Sequence, residues 1–250
     1  MSSIAISLIV FACVFGGAVL GTVIQRSLPE HFLRTDSKDV VRTGTGLIGT
    51  MAALVLGLLL AAASSSYDLQ KNELTQVSAQ IVLLDRILAH YGPETKEARD
   101  LLHTAVAGAL NRLWDHRSQR DQSETARARN EDLYDKILQL TPKDDPQRLL
   151  KTQAANLALE LGRTRWLMVE QETVSISIPL LVIVVFWLVI SFISFGLFAP
   201  RNGIVMTTLF LCALSVAGAI LLIVEFYSPF QGLLRLSSAP LQNALAHLGR

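Results

Sequence analysis

The sequence has few charged residues: Asp, Glu, Lys and Arg make up only 17% of its 250 residues, whereas apolar residues make up 51%. Four runs contain none of these four charged types, namely residues 1–25, 43–67, 173–200 and 202–224. Each run is longer than the roughly 20 residues that an apolar helix needs to cross a bilayer. The composition therefore excludes an ordinary water-soluble protein and predicts an integral membrane protein.

Further shortages exclude several classes of function. The chain has only two cysteines, Cys13 and Cys212, and both lie in apolar runs, so its polar part has neither a disulfide framework nor a cysteine-based zinc site. The net charge of +1 provides no basic surface for nucleic acid. The G-x-S-x-G, H-E-x-x-H and phosphate-loop motifs do not occur. We therefore expect no catalysis, no metal, no cofactor and no nucleic-acid partner.

The charge-free runs predict four membrane-spanning helices, at residues 4–24, 46–63, 179–198 and 203–224. No charge precedes Ile4 and the first apolar run continues past Leu20, which favours a retained membrane helix over a cleaved signal peptide. Four crossings place both ends of the chain on the same side as the long middle section. Tyr67 and Phe226 should then lie at one membrane interface, where aromatic residues commonly occur. Basic residues near the span ends divide equally between the two sides, so they do not fix the orientation.

The fold class predicted is all-α, with a helical-bundle extramembrane module between the second and third spans. Residues 1–66 should hold spans one and two with a short charged loop, 67–175 the module, 176–227 spans three and four, and 228–250 a short amphipathic tail. In the module, apolar residues recur at intervals of three and four in a heptad pattern that continues span two as one long helix: Leu74, Val77, Ile81, Leu84 and Leu88. Gly92 and Pro93 should end that helix. Further helices are expected at 93–114, 133–140 and 147–172, with a solvated loop at 115–130.

The second span carries a row of small side chains at every fourth residue, which includes Gly49, Ala53 and Gly57. The first span has a matching row, Cys13, Gly17 and Gly21. Small rows let two helices approach closely in lipid, so the favoured interpretation packs span one on span two through these six residues. In the alternative, the row on span two faces neighbouring subunits or a pore. The adjoining residues Thr50, Leu54 and Leu58 would then form an apolar constriction that gates by losing water.

Charged residues gather just before the second span. Asp39 and Arg42 are three positions apart, a spacing that permits a helical ion pair, and Asp36 is placed to cap the start of the helix. In an oligomer, Asp39 and Arg42 could instead ring the mouth of a pore, with Arg42 selecting anions. Together with His31, this set is too small to predict a metal site. Glu225, at the end of the fourth span, is expected to be an exposed interfacial carboxylate.

The stretch DSKDVVRTGTGLI at 36–48, followed by AALVLGL at 52–58, matches the pattern of a known family. On these residues the sequence resembles the bacterial bestrophin-like membrane family, which otherwise carries a domain-of-unknown-function label, and the resemblance covers nearly the whole chain. It continues through LDR at 84–86, HYGPE at 90–94, TRW at 164–166, FGLFAPRN at 195–202 and SSAPL at 237–241.

The resemblance implies a pentameric anion channel whose second span lines the pore and whose helical module lies in the cytosol. We therefore expect a multi-pass protein of the bacterial cytoplasmic (inner) membrane, with the lipid bilayer, other copies of the chain and inorganic anions as its partners. The alternative is a non-conducting signalling or scaffold protein. In that case the heptad seams of the module would be surfaces for a different protein.

Overall fold

The computed structural model describes residues 2–27, 35–114, 132–171, 178–200, 202–229 and 232–249, and over these residues it is helical without any strand. The all-α prediction is confirmed. In chain order the helices are α1 Ser3–Ser27, α2 Thr35–Tyr91, α3 Lys96–Trp114, α4 at 132–139, α5 Asp145–Gln171, α6 Ile178–Phe198, α7 Gly203–Phe226 and α8 Ala239–His247. A short 3₁₀ helix, Pro93–Thr95, precedes α3.

The helices α1, α2, α6 and α7 are each long and apolar enough to cross a membrane, which confirms the four apolar helices expected from the sequence. At 57 residues, α2 is much longer than a bilayer requires, and it continues into the polar middle section without a break, as predicted. It ends at Tyr91, where Gly92 has a φ of 135° and Pro93 follows.

The chain divides into two compact units. The first, here called the apolar unit, comprises Met1–Tyr67 and Ser175–Leu234, and the second, here called the helical module, comprises Asp68–Val174 and Arg235–Arg250. The predicted solvated loop at 115–130 lies outside the described residues. The predicted tail is not a separate segment, because its helix α8 belongs to the helical module.

In the apolar unit, α1 packs along α6 and α7. The closest approach is between α1 and α6, where a Cβ on Gly21 would collide with the carbonyl of Ile193 and a Cβ on Gly196 with the carbonyl of Ala18. Helix α2 packs on α6 and α7 through a smaller cluster that contains Leu59, Ala63, Val184 and Ile223. The rings of Tyr67 and Phe226 are 5.4 Å apart, so the ends of spans two and four lie at one level, as predicted.

In the helical module, the heptad residues Ile81, Leu84 and Leu88 are buried with residues of α3, α4, α5 and α8. This burial confirms that the seam on α2 belongs to a bundle core. Helix α8 contributes Leu241 and Ala244 to that core. The indole N–H of Trp114 donates a hydrogen bond of 2.9 Å to the carbonyl of Leu236, which fixes the chain just before α8.

Candidate functional site

Within the apolar unit, α2 has two different faces. One face is buried and carries Ala52, Leu59 and Ala63. The opposite face is exposed over the length of the span and is uncharged. It combines small residues, among them Thr50, Ala53, Gly57, Ala61 and Ser65, with large apolar ones such as Leu54 and Leu58. We call this second surface the outward face of α2. It holds most of the residues that the sequence marked as functional, so it is the candidate site.

The three residues predicted to line a pore all lie on the outward face. The side chains of Leu54 and Leu58 are 64% and 63% exposed, one helical turn apart. Thr50 is also exposed, and its hydroxyl donates a 2.9 Å hydrogen bond to the carbonyl of Gly46. Because this bond satisfies the hydroxyl proton within the helix, Thr50 presents mainly an oxygen acceptor and a methyl group outward.

The expected packing of span one on span two through the two small rows is wrong for the protomer. Extra Cβ atoms on Gly49 and Gly57 would meet nothing within 4 Å among the described residues, and Ala53 is exposed. Gly17 and Gly21 do pack closely, but their neighbours are Val189, Ile193 and Leu197 of α6, and Cys13 is exposed. Sequence spacing identified the small rows correctly. It could not identify their partners, because Gly196 of α6 provides a close match without belonging to any regular row.

The predicted mouth residues Asp39 and Arg42 are both exposed on the first turns of α2. Within the described part of the chain, neither side chain takes part in an ion pair, so the expected Asp39–Arg42 pair is not formed. The nearby threonines bond to the helix itself: Thr43 donates to the carbonyl of Asp39, and Thr45 to that of Val41, each at 2.8 Å. Among the described residues α2 starts at Thr35, so Asp36 lies within the helix and not before it. His31 lies outside the described residues.

Glu225 is not the exposed interfacial carboxylate expected from the sequence, because it is only 3% exposed. Its Oε2 atom accepts hydrogen bonds from the backbone N–H groups of Leu233 at 2.6 Å and Leu234 at 3.2 Å. The backbone of Leu233 and Leu234 therefore lies over the carboxylate at the end of the helix. No sequence pattern signalled this, because the contact joins residues eight and nine positions apart across a turn.

The helical module contains a buried ion pair that the sequence analysis did not single out as a site. Asp85 and Arg99 are joined by two hydrogen bonds, of 2.7 and 3.0 Å, and the N–H of Gly249 donates to the same carboxylate at 3.3 Å. The bonds to Asp85 raise the pKa of Arg99, which keeps the guanidinium charged. A signal was available, since Asp85 is a charged residue beside the buried heptad position Leu84. The pair joins α2 to α3 and to Gly249 near the end of the chain. The Asp85 side chain is buried and that of Arg99 is partly exposed, which indicates a structural role.

A second polar cluster follows α2. The hydrogen bond from Lys143 to Glu94, 2.5 Å long, lowers the pKa of Glu94 and raises that of Lys143. Burial raises the pKa of Tyr91, whose hydroxyl is buried and has no hydrogen-bond partner among the residues described. The side-chain amide of Gln147 donates to the carbonyl of Tyr91 at 3.0 Å, so this cluster ties α5 to the end of α2.

The described residues offer little to a cofactor or a metal. An open groove of about 360 Å³ beside α3 is lined by residues that include Lys96, Arg99, Asp100 and His103. Arg99 is paired with Asp85, which leaves Lys96 opposite Asp100, so the groove has no strong preference for an anion. Within the described ranges, no group of three or more His, Cys, Asp or Glu residues is placed to hold a metal ion.

Comparison with known proteins gives one match. A protein-family model described as the Bestrophin-like domain matches residues 12–241 of the chain. This range includes the outward face of α2, the whole described part of the helical module before α8, and the loop that covers Glu225. No curated protein and no solved structure matches.

Proposed function

Because this chain belongs to the bestrophin-like family, we propose that it forms a homo-oligomeric ion channel whose pore is lined by the outward face of α2. The observation that carries the proposal is the exposed row of small residues that runs along this face at every fourth position. Helices α1, α6 and α7 expose large apolar side chains, among them Leu8, Phe186 and Leu211, which suit contact with lipid. The outward face of α2 also exposes large apolar side chains, Leu47, Met51, Leu54 and Leu58, but beside them runs an exposed row of small residues, Ala53, Gly57, Ala61 and Ser65.

A row of small residues makes few van der Waals contacts with lipid tails, but it allows another helix to approach closely. In a bilayer the association of helices depends on such packing, because lipid tails are as apolar as the side chains themselves. Several copies of α2 arranged around an axis would bury this face and leave a narrow central path. The family resemblance favours five copies.

Leu54 and Leu58 are the residues proposed to form the narrowest part of that path. Each carries a bulky apolar side chain on the outward face, in line with the exposed Leu47 and Met51, and a ring of leucines excludes water from a narrow pore. Arg42 and Asp39 would lie at one mouth, where repeated charges alter the local ion concentration. Arg42 supports a preference for inorganic anions such as chloride.

The rest of the arrangement follows from the family and from the four apolar helices. The apolar unit is proposed to lie in the bacterial cytoplasmic membrane, and the helical module in the cytosol. The alternative role as a non-conducting scaffold is less well supported, because the heptad seam is buried in the core of the module and is not free to bind a partner.

Purified full-length protein tests the proposal in two measurements. Its mass in detergent, from light scattering corrected for bound detergent, should be a multiple of the protomer mass of 27.4 kDa. Vesicles that contain it should pass chloride down a gradient. A monomer in tight vesicles, over a range of pH, calcium and voltage, would refute the channel.

The residues of the pore are tested by polar substitution. Leu54→Ser and Leu58→Ser should each raise chloride flux, because a hydroxyl lets water enter the constriction. The matched control is Leu214→Ser, which makes the same change at an exposed site on α7 and should leave flux unchanged. Equal flux in all three variants and the parent would remove the outward face of α2 from the conduction path.

A further inference from the structure

Residues 232–234, which follow α7, are held in a specific turn by Glu225. The carboxylate accepts the N–H groups of Leu233 and Leu234, and Gly232 makes the turn that brings them to it. Gly232 has a φ of 132°, a region that residues with a Cβ rarely adopt, and a Cβ there would collide with Oε2 of Glu225. Leu233 and Leu234 are therefore held in place by specific contacts of their own backbone with Glu225.

This turn sets the depth of the two leucines relative to the end of the fourth span. Glu225 precedes Phe226, whose ring lies 5.4 Å from that of Tyr67 at the matching end of the second span. Aromatic rings at the ends of membrane helices collect at the boundary between lipid and water. A 2.6 Å hydrogen bond to Glu225 holds the backbone of Leu233 at this same level. The backbone of the two leucines therefore lies beside the end of the span, at the level of the aromatic rings.

The leucine side chains point outward from the apolar unit. Leu233 is 70% exposed and its neighbour Leu234 is 37% exposed, and both belong to the compact unit that holds the four apolar helices. Loops are normally excluded from apolar surroundings by the cost of unsatisfied backbone N–H groups. Here Glu225 accepts the N–H groups of Leu233 and Leu234, which removes their part of the cost of placing this segment in an apolar phase.

We propose that Leu233 and Leu234 form an interfacial membrane anchor, with their side chains inserted among the acyl chains just below the lipid headgroups. We infer that lipid covers these two leucines for two reasons. The turn holds them at the level of the Tyr67 and Phe226 rings, and the neighbouring helix α7 itself exposes large apolar side chains. The inference rests on the insertion of the apolar unit in a bilayer, as proposed above. It assigns Glu225 the role of a positioning residue that acts through the loop.

Spin-label accessibility in the full-length protein tests the anchor. Cys13 and Cys212 are both exposed and would take the label, so they are first replaced by alanine. A single cysteine is then placed at 233, labelled, and reconstituted in vesicles of phosphatidylcholine and phosphatidylglycerol. Collision of the label with oxygen, which concentrates in lipid, is compared with collision with a water-soluble nickel chelate.

Two exposed leucines provide the reference points. Leu214→Cys on α7 should report lipid, and Leu149→Cys on α5 of the helical module should report water. For the label at position 233 we expect a high collision rate with oxygen and a low collision rate with the nickel chelate, both close to the rates at position 214. When Glu225→Ala is added, the collision rates at position 233 should move towards those at position 149, because the hydrogen bonds from Leu233 and Leu234 to the carboxylate are lost. An unchanged profile in that variant would overturn the role of Glu225.

The remaining outcomes also test whether the two leucines are a membrane anchor. A nickel response at 233 equal to that at 149 would place the loop in water and overturn the anchor. Low collision with both reagents would mean that protein covers the leucines, as in an interface between copies, and would overturn it equally. An aqueous response at position 214 would instead refute membrane insertion of the apolar unit, so failure of the proposed function is recognised separately.

Discussion

Arg42 stands on the first turns of α2 without an ion-pair partner among the described residues, which changes what a substitution there should do. Had Asp39 neutralised it, reversing either charge would disturb the start of the helix. Both side chains are exposed and separate, and even a formed surface pair contributes only about 0.5 kcal/mol. The charge of Arg42 is therefore free to act on ions near the end of the helix.

Arg42→Glu should lower the preference of the channel for anions while the protein still folds and assembles. The physical reason is that a charge repeated around a narrow mouth changes the local ion concentration more than it changes stability. Reversal potentials under a chloride gradient measure the effect, on protein first shown to have the parental mass in detergent.

Asp39→Asn is the matched control for Arg42→Glu, since it also alters an exposed charge three residues away and should change the selectivity in the opposite direction or not at all. If Arg42→Glu keeps the parental reversal potential, Arg42 lies away from the ion path.

At the scale of the helices, the apolar unit uses its small residues in two different ways. Gly21 and Gly196 let α1 and α6 approach until their backbones touch, so these glycines are needed by the protomer itself. Gly57 lies on the outward face of α2 with open space around it. The same residue type therefore serves folding on one pair of helices and, by our proposal, assembly on another.

A matched pair of substitutions separates these two roles. Gly196→Leu should destabilise the protomer by about 1–3 kcal/mol or more, since the new side chain meets backbone that cannot yield. Gly57→Leu should leave the protomer folded but weaken the oligomer. Both changes replace glycine by leucine within a helix, so the gain in helix propensity is the same and cancels in the comparison.

Thermal unfolding in detergent and mass in detergent report the two effects of this pair. Weakened assembly in Gly57→Leu without loss of protomer stability is the expected result. A Gly57→Leu protein as stable and as oligomeric as the parent would show that the outward face of α2 contacts lipid.

At the scale of the whole molecule, the helical module is completed by residues from the far end of the chain. Helix α8 follows the fourth span by only a short loop, yet Leu241, Ala244 and Leu248 pack in the core built by α2, α3, α4 and α5. The N–H of Gly249 reaches the carboxylate of Asp85. The module is therefore closed by a segment that is distant in sequence.

Leu241→Ala should lower the stability of the helical module by about 2–5 kcal/mol, the usual cost of removing a buried leucine side chain. Leu149→Ala, at an exposed position on α5, is the control and should change stability by no more than about 0.5 kcal/mol. Limited proteolysis of the reconstituted protein measures the difference as faster cleavage within the module. Equal cleavage in both variants would mean that α8 is not part of the folded core.

The sequence alone determined the features that depend on local composition and spacing. Charge-free runs predicted the four apolar helices, since a segment of that length and composition is stable as a helix in lipid. The heptad of Leu74, Ile81 and Leu84 predicted that α2 continues as one helix, and Gly92 with Pro93 predicted its end. Motifs along the chain also indicated the family. All of these are properties of neighbouring residues.

Only the tertiary structure decided which surfaces meet. It paired α1 with α6 through Gly21 and Gly196, left the small row of α2 facing outward, and placed α8 in the module. It also buried Glu225 under its own loop. These outcomes could not be predicted because a small or apolar row specifies that a helix can pack, while the choice of partner depends on how several such surfaces compete within one folded chain.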